Sequence, residues 1–428
     1  MKFIFADSMD YVDPRYDFIK DLNGEGRQPY WDDEFPHEIM GKAPYDGILI
    51  SRAIVGDSAN KGKYTESQSM RFRRVGAREH LRFNRPQDID KPVFGDNGAF
   101  SYANMEEPPY TAEDTAEFYG DGQFTHGCSV DHIIFEFDSN VKGIAGGTDD
   151  SKKRYDITLQ LATEFYEESK KLGKSFIPIG VVQGWSPDSM AKAAVDLVKM
   201  GYRYLAIGGL VPLKSDEIHL AVSAVHDAVK KWPSVKIHLL GFAKADTLHE
   251  FTKYSKIASF DSTSPLLKAF KDSTRNYFEA KKDGSLNYYT ALRIPQAIEN
   301  NILKNHAKTG LYRQEDLLKM EASALKAVRT YAKGKNTIER TLDALIEYSE
   351  PLQTRSSTTE DALKRKLHTL RTHYQKTLAH KPWEKCTCKI CKDIGVEALI
   401  FRASNRNKRR GIHNLKVYYD HLQRINKS

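Results

Sequence analysis

Eight short apolar runs follow one another along the first 261 residues of this 428-residue chain, and most of them end in Asp, Gly, Ser or Gln. Runs of this length and composition predict β-strands. Between the later runs lie helical patterns that stop at Gly173, at Gly201 and before Pro233, as helices commonly do. Alternating strands and helices predict a parallel sheet, and eight such units in about 265 residues predict an α/β fold of the (β/α)8 TIM-barrel type. The eight runs are KFIFAD (2–7), DGILIS (46–51), PVFGDNG (92–98), HIIFEFD (132–138), FIPIGVVQG (176–184), YLAIGG (204–209), KIHLLG (236–241) and IASFD (257–261).

Polar residues and glycines stand at the C-terminal ends of these predicted strands. In a barrel of this kind the loops at that end carry the chemistry, so the residues there are expected to surround one mouth. A turn or a helix cap explains any one of them equally well. The residues are Asp96, Asp138, Gln183, Gly208, Gly209, Gly241 and Asp261.

Two carboxylates at one mouth suggest chemistry at an acetal-like carbon. One carboxylate can form a covalent glycosyl ester while the other carries protons. Aldolase, isomerase and hydrolase barrels keep carboxylates in the same place, so the reaction class stays open at this point. The sequence has no HxH pair at the first strand, the pattern that a metal-dependent hydrolase would favour. His238 lies inside the seventh run, so we expect a core or supporting role for it rather than metal ligation.

A cysteine-rich segment near the C-terminus predicts a metal site. CTCKIC supplies Cys386, Cys388 and Cys391, and His413 follows 22 residues later. Zn²⁺ takes four tetrahedral thiolate or imidazole ligands, and a site with four protein ligands leaves no position for a catalytic water. We therefore predict a structural zinc that stabilises a C-terminal subdomain. Disulfides are the alternative, but cysteines this close together make a poor framework of bridges. The fourth cysteine, Cys128, suits a small buried apolar position.

The charge of the chain favours a polyanionic partner. There are 65 Lys and Arg against 57 Asp and Glu, a net charge of +8. Two stretches, MRFRRVGAREHLRFNRP and FRASNRNKRRGIHNLK, mix cations with aromatic or apolar residues, as a surface that binds nucleic acid does. Solvated helix faces are the alternative. The candidate phosphate contacts in these stretches are Arg71, Arg73, Arg74, Arg78, Arg409 and Arg410.

The chain divides into three predicted segments. Residues 1–275 form the barrel, 276–380 form a Lys-rich helical insertion, and 381–428 form the zinc-binding subdomain, which we expect to pack on the barrel. A polar linker is predicted at 351–361. The composition, 40% apolar and 29% charged, is that of a globular protein and excludes a disordered or membrane-spanning chain. The first apolar run is too short for a signal peptide, so we expect a cytoplasmic protein.

Several motifs, taken together and in this order, resemble the tRNA-guanine transglycosylase superfamily. They are FGDNGAF (94–100), FEFDSN (135–140), GVVQGW (180–185), LAIGGL (205–210), HLLGFA (238–243) and SFDSTSP (259–265), followed by CxCxxC and IHNL (412–415). The resemblance implies a (β/α)8 barrel with a C-terminal zinc subdomain. It also implies exchange of a guanine in nucleic acid for a 7-deazaguanine.

The resemblance assigns a role to each matched residue. Asp261 would attack the ribosyl C1′, and Asp96 would transfer protons. Other residues would read the hydrogen-bonding edge of the base or sandwich its plane. The edge would be read by Asp138, by Gln183 and by the backbone of Gly208, Gly209 and Leu210, and the plane would lie between Phe100 and Leu240.

Departures from the tRNA enzymes favour a DNA substrate. Those enzymes follow their nucleophile with a loop rich in Thr, Arg and Gly, whereas STSPLLKAF offers only Lys268. YDGILISRAIVGD and DNGAFSY are more similar to the DpdA-type DNA transglycosylases. Action on tRNA remains the alternative, and so does a non-catalytic nucleic-acid-binding subunit. The resemblance to the DNA branch further implies 7-cyano-7-deazaguanine as the incoming base and an ATPase-like partner protein.

Overall fold

The protein is described from a computed structural model that covers residues 1–242, 244–281, 283 and 285–427. Ala243, the last residue of the HLLGFA motif, lies outside the described residues, as do Lys282, Gly284 and Ser428. The strands are β1 Lys2–Ala6, β2 Gly47–Ser51, β3 Val93–Asp96, β4 His126–Cys128, β5 Ile177–Val182, β6 Tyr204–Ile207, β7 Lys236–Leu239, β8 Ile257–Ser262, β9 Tyr277–Ala280, β10 Leu286–Tyr289, β11 Leu292–Arg293 and β12 Ile400–Phe401.

Helices follow most of the strands and dominate the C-terminal part of the chain. They are α1 Pro36–Ile39, α2 Arg52–Val55, α3 Glu66–His80, α4 Ala112–Asp121, α5 Asp149–Ser169, α6 Pro187–Met200, α7 Ser215–Ala228, α8 Ser264–Lys271, α9 Asn301–Thr309, α10 Gln314–Ala332, α11 Ile338–Gln353, α12 Glu360–His380, α13 Pro382–Lys385, α14 Lys389–Ile394 and α15 Ser404–Ile425. Short 3₁₀ helices lie at Ala99–Ser101, Lys170–Leu172, Ala245–Phe251 and Gly395–Leu399. No helix of the described residues is long and apolar enough to cross a membrane.

Strands β1 to β8 form a closed parallel barrel in chain order, with β8 pairing back to β1. The (β/α)8 prediction is thus confirmed, and seven of the eight predicted strands are present, within a few residues of their predicted ends. Two predicted helix ends also agree. Ser186 caps α6 by accepting a bond from the backbone N–H of Ser189, and Gly201 ends that helix with a φ of 123°. Helix α7 ends at Ala228, earlier than the predicted Pro233.

The prediction of the fourth strand, at residues 132–138, is wrong. Residues 132–138 form an irregular segment, and the strand that pairs with β3 and β5 is His126–Cys128. The strand is short, and it contains Gly127, whose place admits no side chain because a Cβ there would lie 2.4 Å from the ring of Tyr119. A three-residue strand with a central glycine has no apolar run, so the sequence pattern pointed to the apolar segment that follows it.

The interior of the barrel is filled by one side chain or two from each of several strands. Because side chains alternate along a strand, residues two apart on one strand share the interior face. This buried cluster includes Cys128, as the sequence predicts, and it underlies the C-terminal ends of the strands. Its members are Ile4, Leu49, Phe94, Cys128, Ile179, Val181, Tyr204 and Ala206.

The chain forms two compact units. The first comprises residues 1–9, 45–263 and 422–428, and it contains the barrel. The second comprises residues 10–44 and 264–421. Within this second unit the helical segment and the cysteine-rich segment share one apolar core, to which Leu345 of α11, Tyr374 of α12 and Trp383 of α13 belong. The predicted linker is shorter than expected, since α11 runs to Gln353 and α12 begins at Glu360.

Candidate active site

A cavity of about 130 Å³ lies at the C-terminal ends of the barrel strands. Asp96 at the end of β3 and Asp261 near the end of β8 both line it, as do residues from five other strand ends or the loops that follow them. The sequence predicts this convergence from the position of each residue after its strand. The lining residues are Leu49, Asp96, Gly98, Ala99, Phe100, Asp131, Ile133, Gln183, Gly208, Gly209, Val211, Leu240, Gly241 and Asp261.

Asp96 is placed by β3, two residues after the inward-facing Phe94. Its Oδ2 accepts a 3.0 Å hydrogen bond from the backbone N–H of Gly98. Burial, and then the negative charge of Asp261, raise the pKa of Asp96 to about 6, while hydrogen bonds from Ser51 and the backbone act in the opposite direction. A carboxyl with this pKa can hold or release a proton near neutral pH, as a general acid or base must.

Asp261 lies in β8, opposite Ile4 of β1, and its side chain is almost fully buried. Its Oδ1 accepts two hydrogen bonds, one of 2.9 Å from the backbone N–H of Gly241 and one of 3.1 Å that joins it to Nε2 of His238. Gly241 has a φ of 64°, in the region that favours glycine. The hydrogen bond from His238 to Asp261 agrees with the supporting role that the sequence suggests for His238.

Asp131 is a charged cavity residue that the sequence pattern does not predict. It is 3% exposed, and its Oδ2 accepts a 2.7 Å hydrogen bond from Nε2 of Gln183. Gln183 is oriented from its other end, because its Oε1 accepts a bond from the backbone N–H of Ile134. Burial, and then the charge of Asp96, raise the pKa of Asp131 to about 7. A correct assignment of the short strand β4 would have placed Asp131 just after a strand end, where functional residues are expected.

Asp138 is not part of the cavity, which corrects the prediction that it reads the base. Its side chain is exposed and accepts a 2.8 Å bond from the backbone N–H of Asn140, a local turn contact. The prediction fails because it took residues 132–138 for a strand that would have carried Asp138 to the mouth. Asp131 occupies the place that was assigned to Asp138.

The flat faces and backbone groups expected around a base are mostly present. Phe100, which is 57% exposed, and Leu240 both line the cavity. Gly208 and Gly209 line it as well, and a Cβ at Gly208 would lie 2.4 Å from Nε2 of Gln183. Leu210 is buried and is not among the lining residues, whereas its neighbour Val211 is, so a base-reading role for the backbone of Leu210 remains a prediction.

A comparison with curated proteins agrees with this geometry, whereas no protein-family model matches the chain. The DNA-guanine transglycosylase of Salmonella montevideo is 36% identical over 425 residues, which make up 99% of this chain and 97% of that protein. This chain belongs to the guanine transglycosylase family. The predicted family is confirmed, and so is the prediction of a pentosyltransferase rather than a non-catalytic binding subunit.

Among the cations predicted to contact nucleic acid in this transglycosylase, Arg78 is already hydrogen-bonded to backbone carbonyls. Its guanidinium donates 3.4 Å bonds to the carbonyl oxygens of Phe83 and Asp88 and a further bond to that of Lys91. Burial lowers the pKa of this group. Three of the five N–H donors of Arg78 bond to these carbonyls and the residue is only half-buried, so its contact with nucleic acid remains a prediction.

The other arginines of α3 lie nearer to solvent. The side chain of Arg73 lies 3.5 Å from a carboxylate oxygen of Asp121, and that of Arg71 lies 3.8 Å from a carboxylate oxygen of Glu79. Arg74 is exposed. Partly exposed pairs of this length are weak, so a phosphate can replace the carboxylate. Nucleic-acid contact remains a prediction for these three residues.

The predicted contacts at Arg409 and Arg410 are wrong. Arg410 is fully buried and donates hydrogen bonds to the carbonyl oxygens of Ala269 and Ala398. Arg409 is 5% exposed and donates to the carbonyl oxygen of Asp13. Arg409 and Arg410 are therefore internal to the second unit, where backbone carbonyls accept hydrogen bonds from their guanidinium groups. Burial lowers the pKa of Arg410 to about 9, which reflects the cost of removing this charge from water.

Lys268 lies in α8 with its ammonium group over two aromatic rings. The distances from Nζ to the ring centroids are 5.7 Å for Phe278 and 5.5 Å for Tyr288. Contacts of this kind are cation–π interactions. Lys268 is partly exposed, and its contact with nucleic acid remains a prediction.

The second unit contains the predicted metal ligands as one cluster. The ligand atoms of Cys386, Cys388, Cys391 and His413 all lie within 4.8 Å of one another. The distances from Nδ1 of His413 to the three sulfur atoms are 3.5, 3.3 and 3.4 Å. A tetrahedral ion with bonds of ~2.0–2.3 Å separates its ligand atoms by roughly 3.5–3.8 Å, so the four residues fit a metal ion.

The surroundings of His413 orient its ring for that role. Nε2 lies 2.8 Å from the carbonyl oxygen of Phe278, which fixes Nδ1 as the atom that faces the sulfurs. The ring of Tyr277 stacks on the imidazole with centroids 4.0 Å apart. In metal sites the ring nitrogen that does not bind the ion usually donates a hydrogen bond, which fixes the orientation of the ligating histidine.

Proposed function

We propose that this enzyme exchanges a guanine in DNA for a 7-deazaguanine through a covalent bond between Asp261 and the sugar. The observation that carries the proposal is that Asp261 and Asp96 line one cavity together with the hydrogen-bonded pair of Asp131 and Gln183. Such an exchange requires a nucleophile, a group that carries a proton, and groups that form hydrogen bonds with the polar edge of the base.

Recognition of the base falls to Asp131, Gln183 and the backbone at Gly208 and Gly209. The guanine edge presents N–H donors at N1 and N2 and an acceptor at O6. The carboxylate of Asp131 accepts from the donors, while amide groups serve the acceptor. Phe100 and Leu240 offer apolar surfaces to the two faces of the ring. A 7-deazaguanine presents the same edge, so one cavity serves both bases.

The first half of the reaction releases guanine. A carboxylate oxygen of Asp261 forms a bond to C1′ as the bond between C1′ and N9 breaks, and the electron pair of that bond goes to N9. Protonated Asp96 gives its proton to the departing base. The DNA is then held as an ester of Asp261, and Asp96 is left ionised.

The second half reverses these roles. Ionised Asp96 takes the proton from N9 of the incoming base, whose electron pair forms the new bond to C1′ while the bond from C1′ to Asp261 breaks. Asp96 ends protonated, as it began, so no other proton source is required. Two inversions at C1′ give net retention.

The preference for DNA over tRNA rests on two observations. The similar protein from Salmonella is named for DNA, and the segment after Asp261 offers only Lys268 where the tRNA enzymes have a Thr-, Arg- and Gly-rich loop. A base inside a duplex must be flipped out of the stack to reach such a cavity. We propose 7-cyano-7-deazaguanine as the incoming base, and the ATPase-like partner remains a prediction from the resemblance.

We assign the Cys3His cluster to a structural Zn²⁺. Three thiolates and one imidazole are the donor set that Zn²⁺ favours, and four protein ligands leave no position for a reacting water. The ion would bind the α13–α14 segment to α15 through His413. It takes no part in the exchange chemistry.

Exchange of radiolabelled guanine tests the proposal. Wild-type enzyme is incubated with labelled guanine and with duplex DNA, single-stranded DNA or tRNA, and Asp261→Asn serves as a shape-matched control. We expect label in DNA for the wild type alone, and release of that label when 7-cyano-7-deazaguanine is added. Label in tRNA only would overturn the DNA assignment, and label in none of the three would overturn the exchange.

A further inference from the structure

Four polar side chains in the barrel form one continuous hydrogen-bonded row. Tyr204 Oη lies 2.5 Å from Oγ of Ser259, which lies 2.6 Å from Nδ1 of His238, and Nε2 of His238 lies 3.1 Å from Oδ1 of Asp261. Ser259 and His238 are fully buried, and Tyr204 and Asp261 are each 7% exposed. The exchange chemistry described above uses only the last of these residues.

A backbone irregularity brings the row together. Strands β7 and β8 pair Ile237 with Ile257, and a register shift after Ile237 pairs His238 with Ser259 instead of Ala258. A bulge of this kind re-aims a side chain. Here it sets the imidazole beside the face of β8 that carries both Ser259 and Asp261, which are two residues apart.

For an attacking Asp261 anion and an uncharged imidazole, counting hydrogens gives one direction for every bond in the row. An ionised Asp261 only accepts, so Nε2 of His238 carries the hydrogen, and Nδ1 of the neutral ring is an acceptor. Ser259 has one O–H, which goes to Nδ1, so its oxygen accepts from the O–H of Tyr204. Each hydrogen then has an acceptor. The opposite direction would leave the phenol hydrogen without one, because Ser259 is the hydrogen-bond partner of Tyr204 among the described residues.

The two donors to Asp261 both meet the same oxygen. His238 and the backbone N–H of Gly241 bond to Oδ1, and Oδ2 has no donor in the part of the chain that the structure describes. Hydrogen bonds lower the nucleophilicity of the oxygen that accepts them and fix the plane of the carboxylate. The two oxygens of Asp261 are therefore not equivalent.

We propose that His238 is a positioning residue which, held in its Nε2–H tautomer by Ser259 on one side and Asp261 on the other, directs Oδ2 of Asp261 at C1′. The inference rests on the proposed function, since it names the attacking atom of the same site. In the covalent step, Oδ2 bonds to C1′ as the bond to N9 breaks, while Oδ1 keeps its bonds to His238 and Gly241.

A matched pair of variants tests the row. In His238→Gln the side-chain amide nitrogen replaces Nε2 and keeps the donor to Asp261, whereas in His238→Asn the shorter amide replaces Nδ1 and leaves Asp261 without that donor. We expect the rate of covalent adduct formation to fall about 10-fold in the Gln variant and at least about 100-fold in the Asn variant, with KM for the base within about twofold of wild type in both. Equal losses in the two variants would overturn the proposal.

A spectroscopic measurement separates this inference from the proposed function. The ¹⁵N NMR shifts of the His238 imidazole in the free enzyme report which nitrogen carries hydrogen, and the His238→Gln spectrum identifies the signal. We expect the Nε2–H tautomer in wild type and in Tyr204→Phe, where Ser259 can still donate to Nδ1 and Asp261 still accepts from Nε2. A wild type with hydrogen on Nδ1 alone would overturn the row. A wild type with the expected tautomer but no base exchange would refute the proposed function and leave the row standing.

Discussion

Asp96 and Asp261 line the same cavity, and burial together with the charge of Asp261 raises the pKa of Asp96 to about 6. The two carboxyls thereby acquire different tasks, because the group with the raised pKa holds a proton under conditions in which its neighbour can attack as an anion. The two halves of the exchange need opposite protonation states of Asp96. This requirement leads to the first prediction.

The two half-reactions should respond to pH in opposite directions. Formation of the covalent adduct needs protonated Asp96, so its rate should fall as the pH rises above about 6. Resolution of the adduct by the incoming base needs ionised Asp96, so its rate should fall on acidification, and at a lower pH, because the ester of Asp261 no longer carries the charge that helps to raise the pKa of Asp96. Single-turnover measurements from pH 5 to 8 follow each step separately. Parallel pH profiles for both steps would rule out one shared proton carrier.

Replacement of Asp96 by Asn should stabilise the protein at alkaline pH. A carboxyl whose pKa is raised on folding contributes stability that is complete below its unfolded value and is lost as the pH rises through the folded value of about 6. The variant has no such loss. Its Tm should therefore exceed that of wild type at pH 8, by roughly 1 °C for each kcal/mol of relieved repulsion in a chain of 428 residues, and the excess should shrink at pH 4. A Tm excess that grows on acidification would contradict the assignment.

Asp131 and Asp138 form a matched pair for testing base recognition. Asp131→Asn should reduce kcat/KM for guanine exchange by at least about 100-fold, because a site built to accept N–H bonds loses its acceptor. Asp138→Asn should stay within about twofold of wild type, since Asp138 is an exposed residue outside the cavity. Burial raises the pKa of Asp131 to about 7, so KM for the base should rise below that pH in wild type and not in Asp131→Asn. An effect of equal size at both positions would show that Asp131 does not read the base.

Arg410 should govern stability rather than affinity for nucleic acid. Arg410→Ala leaves the carbonyl oxygens of Ala269 and Ala398 without their donor inside the second unit, which should cost about 3 kcal/mol or more of unfolding free energy. Arg74→Ala on the exposed face of α3 should leave the Tm unchanged. The slope of log K against log salt concentration should show that about one fewer counterion is released when the variant binds DNA. Thermal unfolding and binding at several salt concentrations distinguish the two. An unchanged salt dependence would show that Arg74 does not contact phosphate.

Removal of the metal should destabilise the second unit. Purified enzyme should contain one zinc ion per chain, and both a chelator and Cys388→Ser should lower the Tm, because binding of a structural ion contributes directly to folding. Cys128→Ser, at a buried position outside the cluster, is the control for loss of a thiol and should retain the ion. Metal-free protein with wild-type stability would contradict a structural site.

The barrel could be predicted from the sequence because most of its strands are short apolar runs that end in a polar residue or a glycine. Strand β4 could not, since His126, Gly127 and Cys128 make no apolar run and are recognised as a strand only by their pairing with β3 and β5. Because of that single error the sequence analysis predicts Asp138, rather than Asp131, at the mouth of the barrel. Asp96, Gln183 and Asp261 were placed correctly because their strands were.

The functions of charged residues depended on contacts that the sequence does not reveal. Arg409 and Arg410 lie in a basic stretch typical of a nucleic-acid surface, yet Asp13 and Ala269, which are distant in the chain, supply carbonyl oxygens that hold them inside the second unit. His238 illustrates the opposite case. Its position inside a strand indicated a supporting role, but only the register shift between β7 and β8 shows that it reaches Asp261.

The most direct test of the account is to locate the covalent bond to the sugar. Enzyme is mixed with guanine-containing DNA in the absence of an incoming base, denatured and digested, and the modified peptide is sequenced by tandem mass spectrometry. We expect a deoxyribose ester on Asp261 that is lost in Asp261→Asn and disappears when 7-cyano-7-deazaguanine is added. An adduct on another residue, or one that persists in Asp261→Asn, would contradict the account.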